Sequence, residues 1–85
     1  MGKKIRGYNE MRVQVLVTLK DTIADPPGIA IQQALSGLGI SVDKVRLGKV
    51  IIFDTENIEY AEEACDKLLV NPTIEQYEIV SCERV

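Results

Sequence analysis

The middle of the chain reads Val42-Asp-Lys-Val-Arg-Leu-Gly-Lys-Val-Ile-Ile-Phe-Asp-Thr55. Val45 and Leu47 alternate with Lys44 and Arg46, Gly48-Lys49 interrupts the alternation, and the apolar run Val50-Ile-Ile-Phe53 follows. Period-two patterning with β-branched and aromatic residues marks extended chain. As a single strand, the stretch is far longer than the usual five or six residues or so. As two strands, it needs Gly48 as the turn of a tight hairpin. As one bent strand, it needs a bulge at Gly48, which flips the facing of everything after it. These readings stay open at this level. Ile51 and Phe53 point opposite to Val50 and Ile52, so both faces of this strand are apolar. A chain of 85 residues has too little material to cover both, and the second face calls for another molecule, a homodimer at least.

Before this stretch, Met11 to Leu19 alternates cleanly. Val13, Val15, Val17 and Leu19 point one way and Arg12, Gln14, Leu16 and Thr18 the other, which describes a half-buried strand. Asp25-Pro-Pro-Gly28 has the chemistry of a helix start. The Asp25 carboxylate caps free N–H groups, and Pro26 and Pro27 fix φ where no N–H is needed. Ala30, Ile31, Ala34, Leu35 and Leu38 then share one helical face, and Gly39 suits the left-handed position just past the end. After the stretch, Thr55 or Asn57 caps a second helix with Ile58, Ala61, Cys65, Leu68 and Leu69 at 3-4 spacing. Glu56, Glu59, Glu62, Glu63 and Asp66 cover its remaining surface. Pro72 disfavours helical geometry at Asn71 and stops the helix there. A last strand runs from about Thr73 to Cys82, with Ile74, Tyr77, Ile79 and Val80 as its apolar members.

This order predicts an α+β fold: a small antiparallel sheet with two helices on one face, βαβ(β)αβ, related to the ferredoxin-like motif. Dimerisation through sheet faces or edges completes or covers the sheet. Residues 1–10 read as a polar tail, and residues 11–85 as a single domain. No strongly apolar run follows the basic N-terminal residues, and the longest apolar stretch is Val50–Phe53. The expectation is a soluble, cytoplasmic protein with neither signal peptide nor membrane anchor.

Composition excludes much chemistry. The chain has no histidine and no tryptophan, so it lacks an imidazole base, a Ser-His or Cys-His pair, and the usual zinc ligands. Cys65 and Cys82 do not form a CxxC pair, and Cys65 falls on an apolar helical stripe, where a thiol is a core residue. Residues 1–50 carry eight basic and four acidic groups, residues 51–85 two basic and nine acidic. That dipolar distribution suits docking on a charged protein surface and does not suit nucleic acid. Gly28 at a helix start can cradle a phosphate, but one glycine without a wider motif reads more simply as part of a cap. Arg46-Leu-Gly-Lys49 sets two cations around a glycine, fit for a phosphate or a partner's carboxylate; the competing reading is a solvated strand end. Tyr77 can pack its ring and hydrogen-bond at an interface. No catalytic or metal-binding set emerges.

Three motifs in order carry a family resemblance: Val45-Arg-Leu-Gly-Lys49 before an apolar strand, the helix ending Ala64-Cys-Asp-Lys-Leu-Leu-Val-Asn-Pro72, and Ile74-Glu-Gln-Tyr-Glu78. With Leu19-Lys20 leading into Asp25-Pro-Pro-Gly28, they resemble the PurS family, the small subunit of phosphoribosylformylglycinamidine (FGAM) synthase. The resemblance covers about Met11 to about Ser81, departing in a longer polar N-terminus and at Pro27. It implies a non-catalytic subunit, a dimer or tetramer, that joins a glutaminase subunit to a large synthetase subunit in purine biosynthesis. It implies help with ammonia transfer in the ATP-dependent conversion of FGAR and glutamine to FGAM. No cofactor is expected on this chain; ATP and Mg would belong to the large subunit. Arg46, Gly48, Lys49 and Tyr77 become candidate partner contacts, and Asp25, Pro26, Gly28, Asn71 and Pro72 structural motif residues. A rival expectation is an ACT-like homodimer that binds a small molecule for regulation.

Overall fold

The computed structural model describes residues 10–85. The polar tail read for residues 1–10 therefore lies, apart from Glu10, outside the described residues. The elements are β1 (Met11–Leu19), α1 (Pro26–Gly37), β2 (Gly48–Thr55), α2 (Glu59–Ala64) and β3 (Glu75–Arg84). The last turn of α2 widens into a π-helical stretch, Cys65–Leu69, closed by Val70 N–H donating to Cys65 C=O at 3.2 Å. The strands form one antiparallel sheet in the order β2-β1-β3.

The central strand is the most regular amphipathic segment. Val13, Val15 and Val17 are buried, flanked in register by Phe53, Ile51 and Lys49 on β2 and by Cys82, Ile79 and Tyr77 on β3. Ala61, Cys65 and Val70 join the valines in the core, and Ile51, Phe53, Leu69, Tyr77 and Ile79 pack around it. Of the predicted stripe of the second helix, Ala61 and Cys65 are buried and Leu69 packs against the core, whereas Ile58 and Leu68 are exposed, because the helix meets the sheet along a face narrower than its apolar spacing. The other sheet face stays open: Leu16 lies opposite Val50, Gln14 opposite Ile52, and Val50 and Ile52 are more than half exposed.

Gly48 is neither turn nor bulge. It is the first residue of β2 and pairs with Thr18. A Cβ there would come within 2.8 Å of Thr18 Cγ2 and 2.9 Å of the Val17 carbonyl, so glycine is needed for close approach. Residues 41–47 are in neither strand nor helix, and Lys44 adopts the left-handed φ of 55°. The bracketed extra strand therefore does not form in the single chain, because β1 has ended at Leu19 and offers 41–47 nothing to pair with. The sheet's bulge is in β3. Gln14 pairs with Ser81 and Val15 with Ile79, leaving Val80 as the extra residue and turning it toward solvent.

The two helices differ in how they are held. In α1 the only buried residue is Gly28; Ile31 and, at the C-cap, Leu38 of the predicted apolar face are exposed, as is Ile29 beside them. The helix stops where expected, with Gly39 at φ 82°. The start of α2 is organised by Asn57, whose Oδ1 accepts from Glu59 N–H at 2.9 Å, with Thr55 Oγ1 accepting from Asn57 N–H at 3.2 Å. β3 begins at Glu75 because the Asn71 carbonyl first accepts the Glu75 N–H at 2.7 Å in a turn.

Candidate functional site

The end of the sheet where β1 stops and β2 and β3 begin gathers every site residue read from the sequence. Asp25 is its keystone and is 3% exposed. Its Oδ1 accepts from the Gly28 N–H at 3.2 Å, capping α1, and its Oδ2 accepts from the Leu47 N–H at 2.7 Å, fastening the approach to β2. The Leu47 N–H donation holds this carboxyl below the usual carboxylate range, against the effect of burial, with help from the Gly28 N–H and the Arg46 charge. Gly28 permits the close fit: a Cβ there would lie 2.3 Å from the Val45 carbonyl. Because Asp25 occupies the Gly28 amide, that amide is part of a cap and does not face a bound phosphate. Pro26 and Pro27 fill the first two helical positions, as their fixed φ suits them to do.

Arg46 acts within the chain. One terminal nitrogen, Nη2, donates to the carbonyls of Lys20 at 2.9 Å, Ile23 at 3.0 Å and Leu19 at 3.3 Å. These bonds tie the β1–α1 turn to the segment preceding β2, so Arg46 orders the backbone that presents its neighbours. Its guanidinium is exposed. Lys49, one turn of the pleat further on, is exposed.

Asn71, Pro72 and Tyr77 sit on the β3 side of the same end. A cavity of about 450 Å³ is lined there by Cys65, Asp66, Val70, Pro72, Gln76 and Tyr77. Tyr77 faces the core beside Val17. Burial raises its phenol pKa, with the Asp66 carboxylate and neighbouring acids adding to the shift. Burial likewise pushes the Cys65 thiol up, with Asp66 and Glu62 adding to it, which keeps the thiol protonated and unreactive. Asn71 organises the turn that leads into β3. Its N–H donates to Glu75 Oε1 at 2.8 Å, and its Oδ1 accepts from Thr73 N–H at 3.1 Å. The Lys20 N–H donates to the Ile74 carbonyl at 2.8 Å, stitching the end of β1 to the start of β3.

This arrangement holds turns in place; it does not activate a nucleophile. Among the described residues no cluster of His, Cys, Asp or Glu is placed to hold a metal ion, and no helix is long and apolar enough to cross a membrane. The sequence reading missed Leu47 and Glu75, whose parts here are played by a backbone N–H and by a carboxylate accepting from one. Both stand inside stretches singled out in the sequence, Val45–Lys49 and Ile74–Glu78, but nothing local marks the backbone N–H of one or the carboxylate of the other for these parts.

Comparison with known proteins gives a consistent answer. The profile of the PurS family, described as phosphoribosylformylglycinamidine (FGAM) synthase, matches residues 12–83. The PurS subunit of phosphoribosylformylglycinamidine synthase from Archaeoglobus fulgidus is 44% identical over 77 residues, covering 82% of this chain and 96% of that relative. The structure of Thermus thermophilus PurS superposes with a TM-score of 0.75 at 36% identity, covering 89% of this chain and 98% of that one. A chain in the structure of PurLQS from Thermotoga maritima superposes with a TM-score of 0.75 at 35% identity, covering 82% and 94%.

Proposed function

The chain belongs to the PurS family, and we propose that it serves as the non-catalytic small subunit of a phosphoribosylformylglycinamidine synthase in the cytoplasm. In this reading it dimerises or forms a tetramer, bridges a glutaminase subunit and a large synthetase subunit, and assists passage of ammonia between them. ATP and Mg act on the large subunit and not on this chain. A Thermotoga maritima relative of the same fold is seen as part of PurLQS, which supports the choice of partners. Rate is gained by holding two foreign active sites together, so that ammonia released at one meets the other at high effective concentration.

One observation carries the reading. Ile29, Ile31 and Leu38 on α1 and Val50 and Ile52 on the open sheet face are exposed together in a domain too small to afford the loss. A second copy of the chain covers such surface, and the free edge of β2 supplies backbone groups for pairing. The tied turn at Asp25 and Arg46 presents Gly48 and Lys49 to a partner, with Tyr77 on the other side of the same end.

The test is to mix the chain with the glutaminase and synthetase subunits in glutamine and ADP and follow the mixture by size-exclusion chromatography. Co-elution of all three, with glutamine-dependent product formation that fails when this chain is left out, is the expected result. Lys49→Glu is expected to weaken co-elution without lowering the chain's own melting temperature. Elution of the chain by itself, with the other two fully active together, would overturn the reading.

A further inference from the structure

Beside the tied turn lies an open depression of about 310 Å³, at the small end of the range of roughly 300–1,000 Å³ that small-molecule sites occupy. Val17 and Leu19 of β1 form its floor, and Leu47 and Pro27 stand around it. Its two charged walls come from opposite edges of the sheet. Lys49 lies across from Val17 on β2, and Glu75 across from Leu19 on β3. Two strand spacings across the sheet and two residues along it, about 12 Å in all, separate those backbones.

The opposed charges do not satisfy each other. The Lys49 side chain makes no ion pair or hydrogen bond among the described residues. Glu75, which lines the depression, accepts the Asn71 N–H on Oε1, a bond that holds its carboxylate and leaves Oε2 without a side-chain partner. The nearby Asp25 is consumed by the Leu47 and Gly28 amides and balanced by Arg46. The site as a whole is therefore close to neutral, with a cation on one side, an anion on the other and an apolar floor between them. A free anion or a free cation would meet one adverse wall. A zwitterion meets none.

We propose that this depression binds a free α-amino acid with an aliphatic side chain, its carboxylate toward Lys49, its ammonium toward Glu75 and its side chain on Val17 and Leu19. The site needs no other subunit, and its test uses the full chain alone, so failure of the assembly reading and failure of this one are separate results. Isothermal titration of the chain with L-leucine is the direct measurement, alongside leucinamide, which lacks the carboxylate, and 4-methylpentanoate, which lacks the ammonium. Leucine is expected to bind with Kd of about 1 mM or tighter, and each truncated ligand about tenfold more weakly or worse. Lys49→Met and Glu75→Gln are each expected to weaken leucine about tenfold while leaving the melting temperature of the free chain in place; Glu75→Gln keeps an acceptor for the Asn71 N–H. No heat with leucine up to about 10 mM would overturn the proposal. So would truncated ligands that bind as well as leucine, or variants that bind it unchanged.

Discussion

The two helices of this chain are built from similar proportions of apolar residues and have opposite fates. α2 and its π turn press Ala61 and Cys65 into the valine row of β1, where both are fully buried. α1 is attached through its first turn, where Asp25, Gly28 and the Val45–Leu47 backbone interlock, and leaves Ile29, Ile31 and Leu38 in solvent. The difference separates two kinds of stability. One helix completes the core of the single chain; the other is a fixture positioned for surfaces the chain does not supply.

The sharpest way to break that comparison is to damage each half. Val15→Ala, at the centre of the valine row, is expected to destabilise the isolated chain by about 2–3 kcal/mol in urea unfolding, because it leaves a cavity between Ile51, Ile79 and the α2 stripe. Gly28→Ala is expected to cost about 1–3 kcal/mol, since its methyl group collides with a backbone carbonyl. Gly37→Ala in the same helix meets nothing within 4 Å and is expected to be neutral or to stabilise by up to about 1 kcal/mol. A Gly28→Ala chain as stable as the parent would mean that the interlock at the start of α1 is not tight.

The interlock also has a pH signature. The Asp25 pKa is depressed in the folded chain, so its contribution is complete above the unfolded value of about 3.9 and is lost as pH falls below that through the folded value. Melting curves between about pH 5 and pH 2 are expected to show an acid limb that Asp25→Asn flattens. The smallest expected effect on the isolated chain belongs to Leu38→Gln, at the exposed end of α1. Chemical unfolding of the dilute chain is expected to change by less than about 0.5 kcal/mol, whereas self-association followed by sedimentation is expected to weaken.

Much of this molecule was legible in its residues. The alternation of β1, the cap at Asp25 and the left-handed Gly39 are local signals that the structure places accordingly, while the stripe of the second helix holds at Ala61 and Cys65 and fails at the exposed Ile58 and Leu68. What was not legible depends on neighbours distant in sequence. Gly48 looks like a turn residue and is instead a point of close contact with Thr18 and Val17. Val80 becomes a bulge only because Gln14 and Val15 pair across it. Arg46 reads as a free cation, but its acceptors are carbonyls more than twenty residues away. The stripe of α1 obeys helical spacing, yet spacing does not reveal whether the surface that covers it belongs to the same chain.

Hydrogen exchange resolved to single amides, on the chain at high concentration, after dilution to the free monomer and within the three-subunit mixture, weighs the two helices directly. The account predicts that amides of β1 and α2 stay protected in all conditions, while those of residues 30–38 exchange quickly on dilution and slow markedly in the assembly. Equal, strong protection of α1 in the dilute monomer would contradict it.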